Sequence, residues 1–227
     1  MSAVRVRSEY SAQPLIARPN PALLTGLNYL KTHTHLGSSW GRLSVVDQGC
    51  GKLRHLKILR GLSGKLTLVD THFQITRSQR LFNQETTILD YITHLRSGPH
   101  VTVMCDSDFE SASIRAHLVV SVAVFDVVTP LIRKRLTKSA ARNLRSRGYY
   151  LLVIPRNDQS ITKRCCEKNR YADGFVFVRT GGIQTFYSNF NETSVLVRRL
   201  RRYGFELIEN LSNRRQVCLI LQKEEGI

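Results

Sequence analysis

The chain has 227 residues, long enough for one domain with a substantial core and short for two. Its hydrophobic fraction of 42% suits a globular protein, and no apolar run approaches the ~20 residues of a transmembrane helix. With 34 basic and 17 acidic residues the net charge is +17, which points to a polyanionic partner, nucleic acid ahead of an anionic membrane surface. A solvated basic surface with no such partner is the plainer alternative.

Residues 1–18 show no period and read as an irregular arm, with one domain over 19–227. The start lacks the apolar core of a secretory signal, and Glu9 speaks against a transit peptide. Asn20 is placed to cap a helix, Pro21 suits its first position, and Leu23, Leu24, Leu27 and Leu30 mark one face. "RLSVVD" predicts a short buried strand ending at Asp47, and residues 52–62 a helix stopped by Gly61 and Gly64. "KLTLVD" is a second strand, ending at Asp70. Residues 73–95 read as polar and mostly helical, broken by Ser97-Gly98-Pro99. "HVTVMCD" is a third strand, again ending in an acid, Asp106. A fourth strand is expected over 118–121.

Thr129-Pro130 then opens a basic helix over 131–146, with Leu136, Ala140 and Leu144 spaced by four. Arg133, Lys134, Arg135, Lys138, Arg142, Arg145 and Arg147 are assigned to it. "RGYYLLVIP" is the fifth strand, followed by a polar insertion, a hairpin over "FVFVRTGGIQTFYSNF", and a helix capped by Asn191 and ended by Gly204. "FELIENL" and "RQVCLILQK" close the chain. Strand–helix alternation implies parallel strands, and the short link between the last two makes them antiparallel. The expected fold is α/β: a doubly wound, mostly parallel seven-stranded sheet with an antiparallel C-terminal strand and helices on both faces.

Five cysteines form no CxxC pair and no metal-ligand spacing, so no metal is expected, and free thiols in a reducing cytoplasm are the plain reading. Cys165 and Cys166 are adjacent, too close for an easy mutual disulfide. Cys105 and Cys218 lie in apolar runs and are expected in the core.

In such sheets ligands sit beyond the carboxyl ends of the strands, where strand order reverses. The turn Gly49-Cys50-Gly51 lets a ligand approach the backbone, and Asp70, after the next strand, can accept two ribose hydroxyls. Asp47, Gly49, Gly51 and Asp70 therefore outline a nucleoside site. A dinucleotide site needs GxGxxG, but Arg54 stands at the third glycine, and Asp47 would repel a pyrophosphate. That disfavours a nicotinamide oxidoreductase. A cationic nucleoside fits, and S-adenosylmethionine (SAM) has an ammonium, a sulfonium and a ribose.

The run "VVDQGCG", then "LTLVD" and "VTVMCD", resembles the class I (Rossmann-like) SAM-dependent methyltransferases, and later strands follow in the same order over nearly the whole chain. The resemblance implies a turn at Gly49, Cys50 and Gly51 beneath the methionyl part, and Asp47 on the amino group. It also implies Asp70, with Thr71 beside it, on the ribose, Asp106 and Ser107 at the adenine, and Ser121 near the methyl group. Two departures stand out: Leu53 and Arg54 replace a further glycine, and Arg145-Ser146-Arg147-Gly148 lacks a Pro-Gly-Gly turn.

The acceptor is less legible. The chain lacks the Asn/Asp-Pro-Pro-aromatic motif of amino-methylating DNA enzymes and the Pro-Cys motif of cytosine-C5 enzymes. Asp126 is the candidate base, and His72, Lys163, Arg164 and Tyr187 are candidates to contact the acceptor, with Phe186 as a further stacking face. The expectation is methyl transfer to a nucleic acid or a nucleic-acid-linked molecule. The alternative is a non-catalytic protein of the same fold that binds RNA or DNA through its basic surface.

Overall fold

The computed structural model describes residues 18–95, 100–156, 167–188, 190 and 192–225. Residues 1–17, Lys163, Arg164, Cys165, Cys166 and Asn191 lie outside them.

Helix α1 (Pro21–His33) begins as its sequence dictates: the Asn20 side chain accepts hydrogen bonds from the Ala22 and Leu23 amides. Strand β1 (Leu43–Gln48), helix α2 (Leu56–Leu62) and strand β2 (Ser63–Asp70) follow. The predicted helix over 52–62 is four residues shorter at its start. Gly51 (φ 55°) and Leu53 (φ 61°) are left-handed, which no α-helix accommodates. Residues 73–95 also differ from the helical expectation. They form α3 (His72–Thr76), the hairpin β3 (Gln79–Leu81) and β4 (Gln84–Thr86), and α4 (Ile88–Thr93). The hairpin reverses through Phe82 and Asn83 at positive φ, and only the asparagine advertises that conformation.

The chain continues through β5 (His100–Cys105), α5 (Asp106–Ser111), β6 (Ala116–Val122), α6 (Pro130–Asn143) and β7 (Leu144–Pro155). The basic helix ends earlier than predicted, so Arg145 and Arg147 stand on β7. Asn143 is fully buried and its amide donates to the Phe109 and Ser139 carbonyls, fixing the point where helix gives way to strand. Then come β8 (Arg170–Tyr171), β9 (Gly174–Val178), β10 (Gln184–Ser188), α7 (Thr193–Arg201), β11 (Phe205–Asn210) and β12 (Gln216–Lys223). The predicted hairpin is β9–β10, extended by β8 into a separate three-stranded sheet.

The main sheet has seven strands in the order β11-β12-β7-β6-β1-β2-β5. Only β12 runs against its neighbours; the other pairs are parallel. Side chains alternate between two cores. Val45, Leu118 and Leu151 pack with Leu23, Leu27 and Leu30 of α1 and Leu59 of α2. Val46, Val119 and Leu152 pack with Phe109 of α5, Ala140 of α6 and Leu196 and Leu200 of α7. The sheet is thus covered on both faces, as the alternation required. Chain direction across the sheet reverses between β1 and β6, which opens a crevice beyond their carboxyl ends.

Cys218 is fully buried, whereas Cys105, at the edge strand, is only partly so and is not a core residue. Cys50, Cys105 and Cys218 are free thiols. Among the described residues no helix is long and apolar enough to cross a membrane, and no three His, Cys, Asp or Glu side chains are grouped as metal ligands.

Candidate functional site

Three carboxylates stand at the ends of three adjacent parallel strands. Asp47 is the fifth residue of β1, Asp70 ends β2, and Asp106 begins the helix that follows β5. The strand ends are neighbours because β1 pairs with β2 and β2 with β5, Asp70 lying opposite Cys105.

Asp47 is 1% exposed, and among the described residues its Oδ2 has no hydrogen-bond partner. Burial, reinforced by the charge of Asp70, raises its pKa to about 7. Asp70 is held more firmly: its Oδ2 accepts from the Gly51 amide (2.8 Å) and its Oδ1 from the Thr71 amide (2.8 Å). Burial lifts it to about 6 even so, with the two amides opposing and Asp106 assisting. Asp106 is also raised, chiefly by burial, and its Oδ1 accepts from the Ser107 amide (3.0 Å). Each carboxylate oxygen that takes one amide keeps acceptor capacity for a further donor.

The turn between β1 and α2 is built on two glycines and one strained leucine. The Gly49 and Cys50 amides both donate to the Val69 carbonyl, which seats the turn on β2. Gly49 has φ 82°, and a Cβ there would run into Val124 of the loop after β6. We expect Gly49→Ala to cost about 2 kcal/mol, the sum of a left-handed alanine and overpacking. Gly51→Ala should cost less, since a Cβ there meets nothing nearer than the Gly49 carbonyl at 3.9 Å. Urea melts of the two variants test the ordering. Leu53 takes the place of a further glycine and keeps the left-handed backbone (φ 61°), compensated by a side chain fully buried in the core.

The sequence did not single out the residues that brace this turn. Gln74 of α3, 1% exposed, donates from Nε2 to the Gly51 carbonyl (2.9 Å) and to Gln79 Oε1 (3.0 Å). Gln48, fully buried, donates to the Leu136 carbonyl of α6 and accepts from the Tyr150 hydroxyl, each at 3.0 Å. Polar residues buried this completely are worth flagging, but a lone Gln in a sequence carries no such mark.

On the other side of the crevice lies the loop from β6 to α6, carrying Asp126. That residue is 7% exposed, its Oδ1 has no hydrogen-bond partner among the described residues, and burial raises its pKa to about 7 against the weaker pull of Arg133. Its carbonyl accepts from the Ser188 amide at the end of β10 (2.8 Å), so the small sheet is stitched to this loop. Arg133 fastens the arrangement from below. Although it belongs to a basic run, it is only 5% exposed. Its Nε donates to the Phe125 and Val128 carbonyls and its Nη1 to Asp173 Oδ2 (2.7 Å), and the guanidinium lies over Phe186 and Phe190. Burial pushes the Asp173 carboxyl up, but Arg133 and Arg199 outweigh it and leave the group below the usual range. A cleft of about 280 Å³ opens between Asp173, Ser188, Phe190 and α7.

The remaining sequence candidates are placed as follows. Thr71 caps α3, its Oγ1 accepting from the Gln74 amide, and His72 is exposed beside it. Ser107 is exposed at the start of α5, its hydroxyl 3.0 Å from Cys105 Sγ. Cys50 is 4% exposed, and burial raises its thiol pKa, so it behaves as a turn residue. Ser121 is fully buried one residue inside the end of β6. Tyr187 is half-buried and its hydroxyl accepts from Arg179 (3.0 Å). Phe186 is fully buried beneath Arg133 and has no face left for a substrate.

No family model matches the sequence, and no curated protein matches it. Solved structures do. A SAM-dependent methyltransferase of Methanosarcina mazei is 19% identical, over 91% of this chain and 99% of that one, with a TM-score of 0.60. The 1,6-didemethyltoxoflavin-N1-methyltransferase of Burkholderia thailandensis, bound to S-adenosylhomocysteine, is 13% identical over 90% and 79%, with a TM-score of 0.58. Magnesium protoporphyrin IX methyltransferase of Synechocystis, also bound to S-adenosylhomocysteine, is 15% identical over 89% and 82%, again at 0.58. The chain therefore has the fold of the class I SAM-dependent methyltransferases.

Proposed function

We propose that the protein binds SAM at the ends of β1, β2 and β5 and transfers its methyl group to an acceptor held against the Asp126 loop. The observation that carries this reading is Asp47, a buried carboxyl with an oxygen that no donor among the described residues reaches, set among further acids at the mouth of a glycine turn. Burying such a group is costly without a partner. A ligand ammonium supplies one, and the similar structures that hold S-adenosylhomocysteine support the same cofactor.

The donor set fits the cofactor. Asp47 would take the amino group, and Gly49 and Gly51 leave room for the methionyl chain. Asp70, fixed by two backbone amides, has an acceptor site free on each oxygen for the ribose hydroxyls. Thr71 holds that carboxylate through its amide, Asp106 and Ser107 would meet the adenine edge, and Ser121 would lie nearest the methyl end. SAM supplies a methyl carbon already activated by its sulfonium. The protein's task is then alignment and exclusion of water, with Asp126, poised near neutrality, able to accept a proton from the acceptor. Asp126, His72 and Tyr187 form the acceptor side in this reading; Lys163 and Arg164 lie outside the described residues. The net charge of +17 supports a nucleic acid or a nucleic-acid-linked acceptor.

Calorimetric titration with SAM, S-adenosylhomocysteine and NAD tests the proposal. The first two should bind and NAD should not. Asp70→Ala should weaken SAM binding by roughly 1–3 kcal/mol, because the ribose hydroxyls lose their acceptor. Full affinity in a folded Asp70→Ala protein would remove Asp70 from the site, and no binding of SAM to the parent would overturn the reading.

A further inference from the structure

Charge is segregated along the strands. Acids stand at the carboxyl ends of β1, β2 and β5, and bases stand at the opposite ends. Arg42 precedes β1, Arg115 precedes β6, Lys65 lies near the start of β2, and Arg145 and Arg147 near the start of β7. His100 opens β5. All but Arg145, which is half-buried, are exposed. Because β7, β6, β1, β2 and β5 are consecutive in the sheet, these residues form one rim. Four inter-strand gaps of ~4.8 Å make it about 19 Å long.

Two ordinary explanations for such bases do not apply. Bases in the last turns of α1, α2 and α6 complement helix dipoles, but the rim residues lie outside the helices. Nor are they matched by acids: among the described residues the only carboxylate partner on the rim is Glu225, 3.7 Å from Arg147. Arg145 is the most enclosed of these bases. Arg145 Nη2 donates to His35 Nε2 (3.3 Å), while its own Nε is buried with no hydrogen-bond partner among the described residues. His117, on β6, accepts the Ser44 amide at Nδ1. Burial first, and then Arg145, lowers the pKa of both imidazoles. With both imidazoles serving as acceptors, the cations of the rim are Arg42, Lys65, Arg115, Arg145 and Arg147, a set short of acids that suits an anion.

We infer that this rim docks the phosphate backbone of a nucleic acid, at the pole of the sheet opposite the methyl-transfer site. At ~3.4 Å of axis per phosphate on each strand, a 19 Å rim faces about five or six phosphates. A membrane surface is disfavoured because basic membrane sites carry apolar anchors, and the exposed apolar residues Leu131 and Val178 belong to the first turn of α6 and to β9 of the small sheet, not to the strand starts. Arg42 and Asp47 are five residues apart on one strand, about 17 Å. A backbone seated on the rim is therefore held, and the atom that receives a methyl group lies elsewhere. Docking at the rim stands without the cofactor reading; its placement relative to a methyl-transfer site rests on the proposed function.

Fluorescence anisotropy with a labelled 20-nucleotide RNA, and with DNA of the same sequence, tests it without SAM. The rim variant R42E/R115E/R147E is compared with K134E/K138E/R198E, which changes net charge equally on exposed helix faces. The rim variant should bind about 30-fold more weakly, and its log–log salt slope should fall by about 2, as expected for three lost phosphate contacts on a single strand. The helix-face variant should lose less than about threefold. Circular dichroism melts confirm that both are folded. Equal losses in the two variants, or no binding by the parent, would overturn the inference. So would equally tight binding of the parent to phosphatidylserine vesicles.

Discussion

Asp47→Asn is expected to produce a protein at least as stable as the parent at pH 8 that binds SAM roughly a hundredfold more weakly, about 3 kcal/mol. Both halves follow from the same orphaned oxygen. With its pKa at about 7 in the fold and 3.8 ordinarily, Asp47 holds its proton in the native state where the unfolded chain has already lost it. Between about pH 4 and pH 7 the native state binds more protons, so stability falls as pH rises through that window. Asp70 and Asp126, raised to about 6 and about 7, act in the same direction. The parent should therefore melt at lower temperature at pH 8 than at pH 5, and the asparagine variant should show a shallower fall.

Binding runs the other way. An ammonium needs the carboxylate ionised, so SAM should bind more tightly from pH 6 to pH 8 and release protons. Calorimetry in buffers of different ionisation heat measures that release directly. Unchanged SAM affinity in Asp47→Asn would show that the buried acid serves some other end.

Arg133→Met is the most damaging single change we expect to the fold, at about 3 kcal/mol, because it leaves partners buried without their cation. The carbonyls of Phe125 and Val128 lose their donor, Asp173 keeps only Arg199, and the rings of Phe186 and Phe190 lose the guanidinium between them. Asp173 is 29% exposed on its side chain, so water can recover part of the loss, which keeps the figure at the low end for a broken buried pair. For a chain of this size the midpoint of thermal unfolding should fall by roughly 6–12 °C. Lys134→Met, one residue on and exposed, should leave it unchanged. Equal melting of the two variants would mean that the loop and hairpin are held by something else.

Much of the sheet was legible because three of its parallel strands, β1, β2 and β5, are apolar runs cut short by an acid. Those acids mark the strand ends and the candidate site at once. Where backbone conformation departed from residue preference, the sequence misled. Leu53 occupies a left-handed turn that glycine would have announced, and the helix was started too early. Phe82 does the same in the β3–β4 hairpin. Leu144 continues the four-residue spacing of α6, yet its apolar side chain serves the same core from the first position of β7. Arg133 was hidden by company: within "RKR" it reads as solvated. A sign was present, since it falls on the stripe of Thr137 and Ala140, both buried.

Leu53 ties the ligand turn to the centre of the molecule. A turn built only of glycines can open by itself, exchanging its amide protons while the rest stays folded. Here the Gly49 and Cys50 amides are bonded to β2, and the residue that ends the turn has its side chain sealed among Leu56, Leu59 and their neighbours. Opening the turn means extracting that side chain. The amide protons of Gly49 and Cys50 should therefore exchange with solvent only as slowly as those at the centre of β1, as members of one cooperative unit. The turn is thus preorganised before any ligand arrives, and binding need not spend free energy on ordering it.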